Sequence, residues 1–433
     1  MDVISVNFEI PRDERTYTNM GSSPHFLQQF AQWLQNNREN IRIIDLAMFL
    51  FNNKKLYDVL IDLAERGVQV NVYSIPLDGY DKKPATIVDS KTNCSIGRFS
   101  KYDLAEKLYN HIKRHPHPNF HLYIFPHTYV RSERMIQFSR GELPYSLHIK
   151  HFAAVMENGD VISGMSSSNL AVRDESKIET AVIARLSGRE IPATQDFYEG
   201  LRENSIPLQD FDPNGQYRIT MRALPEKSRA MYFAPFYFDS PVLFEENLNT
   251  MVGNAQNRII ICGQHVCAYD YTFPAAYTNE RSRNQTGESG GFLANVLAKA
   301  GDGVGVQMIS QTYCDKDGAH GCRAPQNKKA FKEFAEKARQ AGCTYYVNDK
   351  VHSKFIIIDH HTIITTANFT PTQFIYLPNV NIQKYHYAGI HSEVGAYFVI
   401  SDEGIANHLV SHFNDLVRNP ATRRMIPGVR NDP

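Results

Sequence analysis

The feature that most constrains this chain is one order of segments that occurs twice. The first copy opens with HFLQQFAQWLQNNREN (25–40), where apolar residues recur at helical spacing. IRIIDLAMFLF (41–51) is an apolar run of strand length. KKLYDVLIDLAERG (54–67) returns to helical spacing and stops at Gly67, and VQVNVYSI (68–75) is a second buried strand. The second copy runs PVLFEENLNTMVGNAQ (241–256), a helix; NRIIICGQHVCAY (257–269), a strand; a polar insertion, TNERSRNQTGESGG (278–291); FLANVLAKAGDG (292–303), a helix; and VGVQMIS (304–310), a strand. Strand, helix and strand of these lengths imply parallel strands joined by a right-handed crossover. The class predicted is α/β, with two similar halves, each a mainly parallel sheet flanked by helices.

Each copy then reaches a similar motif. The first is LHIKHFAAVMENGDVISGMSSSNL (147–170) and the second VHSKFIIIDHHTIITTANFT (351–370). The interval from Arg42 to Arg258 nearly matches that from His148 to His352, so the motifs belong to the repeat. On a strand, residues i and i+2 share a face, so His148 presents with Lys150 and His352 with Lys354. If the halves pack about a pseudo-twofold axis, two imidazoles and two ammonium groups converge, together with the amides of Asn169 and Asn368. That set suits a phosphodiester. One neutral His attacks phosphorus and forms a phosphohistidine, and the other donates to the leaving oxygen and then activates water. The lysines neutralise the phosphoryl oxygens and the amides donate to them, so no metal or other cofactor is required. Asp359, just after the second motif's strand, is a candidate to orient an imidazole, with a turn residue as the alternative.

At these residues the chain resembles the phospholipase D superfamily. The second motif carries His352, Lys354, Asp359 and Asn368, with Thr365-Thr366-Ala367 where the family usually has a Gly-Ser pair before the Asn. In the first motif Val155 stands where the family's Asp would fall, and the Gly164–Asn169 stretch carries extra residues. The tyrosyl-DNA phosphodiesterase branch similarly lacks that Asp. Glu179 in SKIETAV and Glu393 in GIHSEVG look like the acidic residues the family places after each motif, where they hold a site His. The resemblance implies two phospholipase D-like halves related by a pseudo-twofold axis. It also implies His148 as nucleophile and His352 as acid/base. The polar stretch ENSIPLQDFDPNGQYR (203–218) places the division near its middle, giving halves of 1–210 and 211–433.

Other residues are expected near the site. His265, Tyr269 and Tyr271 end the first strand of the second half, at the edge where open α/β sheets bind ligands, which makes them candidates for the pocket rim with core packing as the equal alternative. Phe49, Phe51 and Asn52 are the matching positions in the first half. Ser166, Ser167 and Ser168 lack a nucleophile elbow and read as hydrogen-bonders to backbone or to phosphate, with Ser167 and Ser168 the candidates for substrate contact. The cysteines match no common zinc spacing. The run His111, His115, His117, His121 and His127, with Lys113 and Arg114, reads as a solvated loop. Arg281, Arg283, Arg323, Lys328 and Lys329 fall in polar insertions.

Three substrate readings remain. Lys+Arg and Asp+Glu both total 46, so the net charge is zero and any polyanion must be met by a local patch. No secretory leader and no run of ~18 apolar residues is seen, which reads as a cytoplasmic protein with reduced thiols. A nuclease acting on DNA or RNA is the favoured reading, with aromatic residues beside cations to stack bases. The alternative is a phospholipase D or phosphatidyl transferase acting on phospholipid head groups. A binding module without turnover is the third, and retention of His148, Lys150 and Asn169 together argues against it. Two motifs in one chain mean that no oligomer is needed to complete the site.

Overall fold

The computed structural model describes residues 1–9, 25–77, 85–88, 95–126, 145–170, 177–215, 217, 230–234, 240–266, 292–311, 325–369 and 392–425. Tyr269, Tyr271, Arg281, Arg283, Arg323 and His127 lie outside the described residues. The first half contains β1 (Asp2–Glu9), α1 (His25–Asn36), β2 (Ile41–Met48), α2 (Lys54–Glu65), β3 (Gln69–Ser74), β4 (Ala85–Val88), β5 (Ser95–Phe99) and α3 (Lys101–Arg114). It continues with β6 (Phe120–Ile124), β7 (Tyr145–Leu147), β8 (Lys150–Met156), β9 (Val161–Ser166), β10 (Glu179–Arg185), α4 (Glu190–Glu203) and β11 (Ile206–Pro207). The second half contains β12 (Met231–Ala234), α5 (Ser240–Asn254), β13 (Arg258–Cys262), α6 (Phe292–Gly301), β14 (Gly305–Ser310), α7 (Pro325–Gln340) and β15 (Thr344–Val347). It ends with β16 (Phe355–Ile358), β17 (His361–Thr365), β18 (Ser392–Ser401), α8 (Glu403–Arg418) and β19 (Arg423–Arg424).

The two large sheets repeat one another strand for strand. The first runs β1-β10-β9-β8-β2-β3-β6-β11 and the second β12-β18-β17-β16-β13-β14-β15-β19. In each, three central strands are parallel, as β2 with β3 and β3 with β6, or β13 with β14 and β14 with β15. Helical crossovers connect them, as the alternating periodicity requires. The other pairings along these two orders are antiparallel, so the sheets are mixed rather than mainly parallel. The physical reason lies in the motif strands: β8 returns as β9 through a tight turn at Gly159 (φ 85°), and a hairpin can only be antiparallel.

Local signals set the helix ends. Asn53 caps α2 by accepting the Leu56 N–H at 3.1 Å. Gly67, at φ 93°, turns the chain out of it, and the Val68 N–H closes the end on the Leu63 carbonyl at 3.1 Å. Leu56, Leu60 and Leu63 form the buried stripe that seats α2 on the sheet. The histidine run is a loop only in part, at His115 and His117 between α3 and β6. His111 lies on α3, whose Ala105, Leu108, Tyr109 and Ile112 are buried, and His121 lies on β6. Interspersed His, Lys and Arg obscure the apolar spacing there. Lys328 and Lys329 lie on α7 rather than in an irregular insertion. No helix among the described residues is long and apolar enough to cross a membrane.

The halves are joined by reciprocal strand contacts, one at each motif. β7 leaves its own half and pairs parallel with β18, matching Glu393 with Ser146 and Val394 with Leu147. Conversely, Ile178 bridges to Val351. The Ile178 N–H donates to the Lys350 carbonyl at 2.8 Å, while the Ile178 carbonyl accepts from His352 N–H at 2.9 Å and Ser353 N–H at 2.7 Å. One buried apolar cluster runs through the junction, from Phe152 and Val182 to Phe355 and Phe398.

Candidate active site

Both His-x-Lys motifs sit at this junction, each just before or at the start of a strand. Neither His is itself on a strand: His148 precedes Lys150, which opens β8, and both His352 and Lys354 precede β16. Lys150 Nζ donates to the His148 carbonyl at 2.5 Å and Lys354 Nζ to the His352 carbonyl at 2.8 Å. Both ammonium groups are almost fully buried, at 1% and 0% exposure. Charges at that depth have a large effect on their neighbours, because little water screens them.

Among the described residues an imidazole–carboxylate pair also ties the halves together. His352 Nδ1 lies 2.8 Å from Glu179 Oε1 and 2.9 Å from Oε2. Glu179 opens β10 of the first half, and it is buried at 2% exposure. Its second oxygen receives the Ser167 hydroxyl at 2.5 Å, and Ser167 Oγ in turn accepts the Thr180 N–H at 2.8 Å. An ionised carboxylate is acceptor-only, so Nδ1 carries the proton and Nε2 the lone pair. Burial, followed by the charges of Lys354, Lys150, Lys177 and His148, holds His352 well below its ordinary pKa. The resting imidazole is therefore neutral. The same relation brings residues of both motifs within electrostatic reach of a single ring.

His148 is half-buried, its Nδ1 turned inward, and its ring meets Phe49 edge-on with centroids 6.0 Å apart. Asn169 and Asn368, at 8% and 5% exposure, directly follow the Ser166-Ser167-Ser168 and Thr365-Thr366-Ala367 bends. His265 is half-buried in the loop after β13; its carbonyl accepts the Phe369 N–H at 2.9 Å, next to Asn368. Glu393 lies on β18, its backbone paired beside Ser146, two residues before His148.

Three of the candidate residues take up the structural alternative, a turn for Asp359 and backbone bonding for Ser167 and Ser168. Asp359 does not approach His352, because β16 carries the chain away at about 3.3 Å per residue. Its carboxylate accepts the N–H groups of Gln256, Asn257 and Arg258 at 2.9, 2.9 and 3.0 Å, which fastens the entry to β13. Burial raises its pKa, but these three donors and nearby His360 outweigh that and leave it below the usual value. It adopts φ 52°, a conformation in which Asp is tolerated better than most residues. In the first half β8 extends through Val155 to Met156, and the Glu157 N–H donates to the Asn40 carbonyl at 2.8 Å, much as the Asp359 N–H donates to the Arg258 carbonyl at 3.0 Å. Ser167 holds Glu179, and Ser168 Oγ accepts the Leu170 N–H at 3.3 Å, so both shape the bend.

Sequence reasoning also passed over several residues. Lys177 adds its charge to the site and donates to the Asp349 carbonyl at 3.2 Å, and its place next to Ile178-Glu179 was the available signal. Gln311 is buried and donates to the Val351 carbonyl at 2.7 Å, supporting the residue before His352. Buried Cys262 lies near Lys354, and burial pushes its thiol pKa up, which makes it a poor nucleophile.

No family profile matches the sequence, and no curated protein matches it. Solved structures do match. Polyphosphate kinase from Porphyromonas gingivalis aligns with TM-score 0.52 at 9% identity, over 99% of this chain and 53% of that one. The chain thus spans about half the length of that kinase. Phosphatidylserine synthase from Haemophilus influenzae aligns with TM-score 0.54 at 11% identity, over 98% of this chain and 89% of the other. A variant of yeast tyrosyl-DNA phosphodiesterase aligns with TM-score 0.42 at 9% identity, over 91% and 88%.

Proposed function

The chain has the fold of the phospholipase D superfamily, and from that premise we propose that it is a metal-independent phosphodiesterase that cleaves nucleic acid through a covalent phosphohistidine. The observation that carries this reading is the Glu179–His352 pair, formed across the halves while Lys150, Lys354 and His148 act on the same imidazole.

In the proposed reaction the phosphodiester enters between the two lysines. His148 attacks through Nε2, its Nδ1 being turned inward. The phosphorus–oxygen bond to the leaving group breaks as His352 Nε2 delivers a proton to that oxygen. The His352 proton is taken up when the anionic substrate offsets the lysine charges that otherwise keep the ring neutral. In the second step water loses a proton to His352 Nε2 and attacks phosphorus, and the phosphorus–nitrogen bond breaks. Glu179 holds the ring throughout and stabilises its charged form, while the Asn169 and Asn368 amides donate to the phosphoryl oxygens. Glu393 is assigned the same service for His148.

A second reading, transfer or hydrolysis at a phospholipid head group, is favoured by the likeness to phosphatidylserine synthase. Incubation with single- and double-stranded DNA and RNA in excess EDTA, beside phospholipid vesicles, separates the two. Nucleic-acid cleavage undiminished by EDTA is expected. Cleavage of lipid alone would reverse the substrate assignment, and loss of all activity in EDTA would contradict the metal-free chemistry.

A further inference from the structure

We propose that Phe49, Lys101 and Tyr102 form a subsite beside His148 that holds the nucleotide next to the scissile phosphate, with a base stacked on Phe49 and the adjacent phosphate on Lys101. The inference rests on the nucleic-acid reading and specifies it: the substrate is a strand with consecutive phosphates, engaged at more than the reacting one.

Phe49 follows β2 directly, at the sheet edge where His148 lies, and its half-buried ring meets that imidazole edge-on at 6.0 Å. Lys101 opens α3, from a distant part of the sequence. It is brought to the same edge by Asn52, whose Nδ2 donates to the Lys101 carbonyl at 3.1 Å. Lys101 Nζ then lies 5.8 Å from the Phe49 ring centre and 5.4 Å from that of Tyr102. Among the described residues no carboxylate pairs with this ammonium group; it rests on two aromatic rings instead. A cation over a ring is held less strongly than a charge-assisted contact to a phosphate oxygen. An arriving phosphate therefore competes with the Phe49 ring for Lys101, and places the adjoining base beside that ring. Aromatic platforms beside cations are how single strands are gripped without base readout. An acyl chain at the same place would meet an ammonium group instead of an apolar wall.

The test compares the 433-residue chain with its Lys101→Gln, Lys101→Arg and Phe49→Leu variants on two substrates. One is a fluorescein-labelled single-stranded oligonucleotide and the other bis(p-nitrophenyl) phosphate, which carries a single phosphorus. Lys101→Gln is expected to lower kcat/KM on the oligonucleotide about tenfold more than on the small diester. It should also reduce the slope of log affinity against log salt by about one. Phe49→Leu should show the same selective loss without the change in salt slope, and Lys101→Arg should recover most of the loss caused by Lys101→Gln. Parallel losses on the two substrates, or an unchanged salt slope in Lys101→Gln, would overturn the subsite. Wild-type protein that hydrolyses the small diester but leaves every oligonucleotide intact would instead overturn the nucleic-acid reading beneath it.

Discussion

Replacing Glu179 by Gln changes one atom of a buried side chain and removes the charge that faces His352. The carboxylate makes two short contacts to Nδ1, at 2.8 and 2.9 Å, and accepts Ser167 on its second oxygen. A hydrogen bond to a charged group contributes about 1.5–3 kcal/mol, and each ~1.4 kcal/mol of barrier is tenfold in rate. The direct loss is therefore about 10- to 100-fold in kcat. The amide adds a second penalty, because it has a single acceptor oxygen. If that oxygen faces Nδ1–H, the NH₂ group meets the Ser167 hydroxyl, which must turn to the Thr180 carbonyl 3.2 Å away. If the amide flips, His352 is forced into the other tautomer and its Nε2 lone pair is lost. The fall belongs in kcat, with KM little changed, because Glu179 acts through His352. The pH profile supplies a sign: the carboxylate favours the imidazolium, so without it His352 loses its proton at lower pH and the alkaline limb of the kcat profile moves down. Steady-state kinetics from pH 5 to 9, with thermal melting to show that the variant folds, would check this. A folded Gln variant with wild-type kcat and an unmoved alkaline limb would refute the positioning role.

Asp359→Ala removes an acceptor shared by three backbone N–H groups and leaves Ala at a positive φ. It is expected to cost about 2–4 kcal/mol in urea unfolding while kcat of the remaining folded enzyme stays near wild type; a collapse of kcat without loss of stability would return Asp359 to the active site. Acid should destabilise the fold from just below pH 6.5. Burial pushes His151 and His412 down to about 3, so both stay neutral in the fold while the unfolded chain takes up their protons. Stability from each is present above pH 6.5 and falls by about 1.4 kcal/mol per pH unit as pH drops toward 3. Asp45, pushed up to about 6 by burial, works the other way between pH 6 and its ordinary 3.8. His412→Gln should flatten the acid slope in urea titrations by about 1.4 kcal/mol per pH unit, and an unchanged slope would refute the assignment.

The repeated sheet was legible because its signals are local. Ile41–Met48 with Lys54–Glu65, and Arg258–Cys262 with Phe292–Gly301, carry their own periodicity and caps. The second motif offered a hairpin loop at Asp359-His360-His361, which the β16–β17 pairing bears out, but the first motif was not legible as a hairpin, since a buried apolar run does not reveal its direction. α3 was hidden because Asn110 and His111 interrupt its buried Leu108, Tyr109 and Ile112, and Lys113 and Arg114 follow directly. The division of labour among acidic and hydroxyl groups was the least visible part. Whether Ser167 meets a phosphate or Glu179, and whether Asp359 meets an imidazole or the 256–258 backbone, depends on register between distant segments. Only the pairing of Ala181 with Ser166, or of Ile259 with Ile358, fixes that register.

The central claim, that two imidazoles encoded far apart serve one phosphorus, is tested most directly by trapping the intermediate. The His352→Ala variant should attack but fail to turn over, so a rapid alkaline quench with a labelled oligonucleotide, followed by peptide mass spectrometry, should find the nucleotidyl group on His148 alone. A folded variant that retains full turnover, or an adduct that forms on a residue outside the two motifs, would contradict the account.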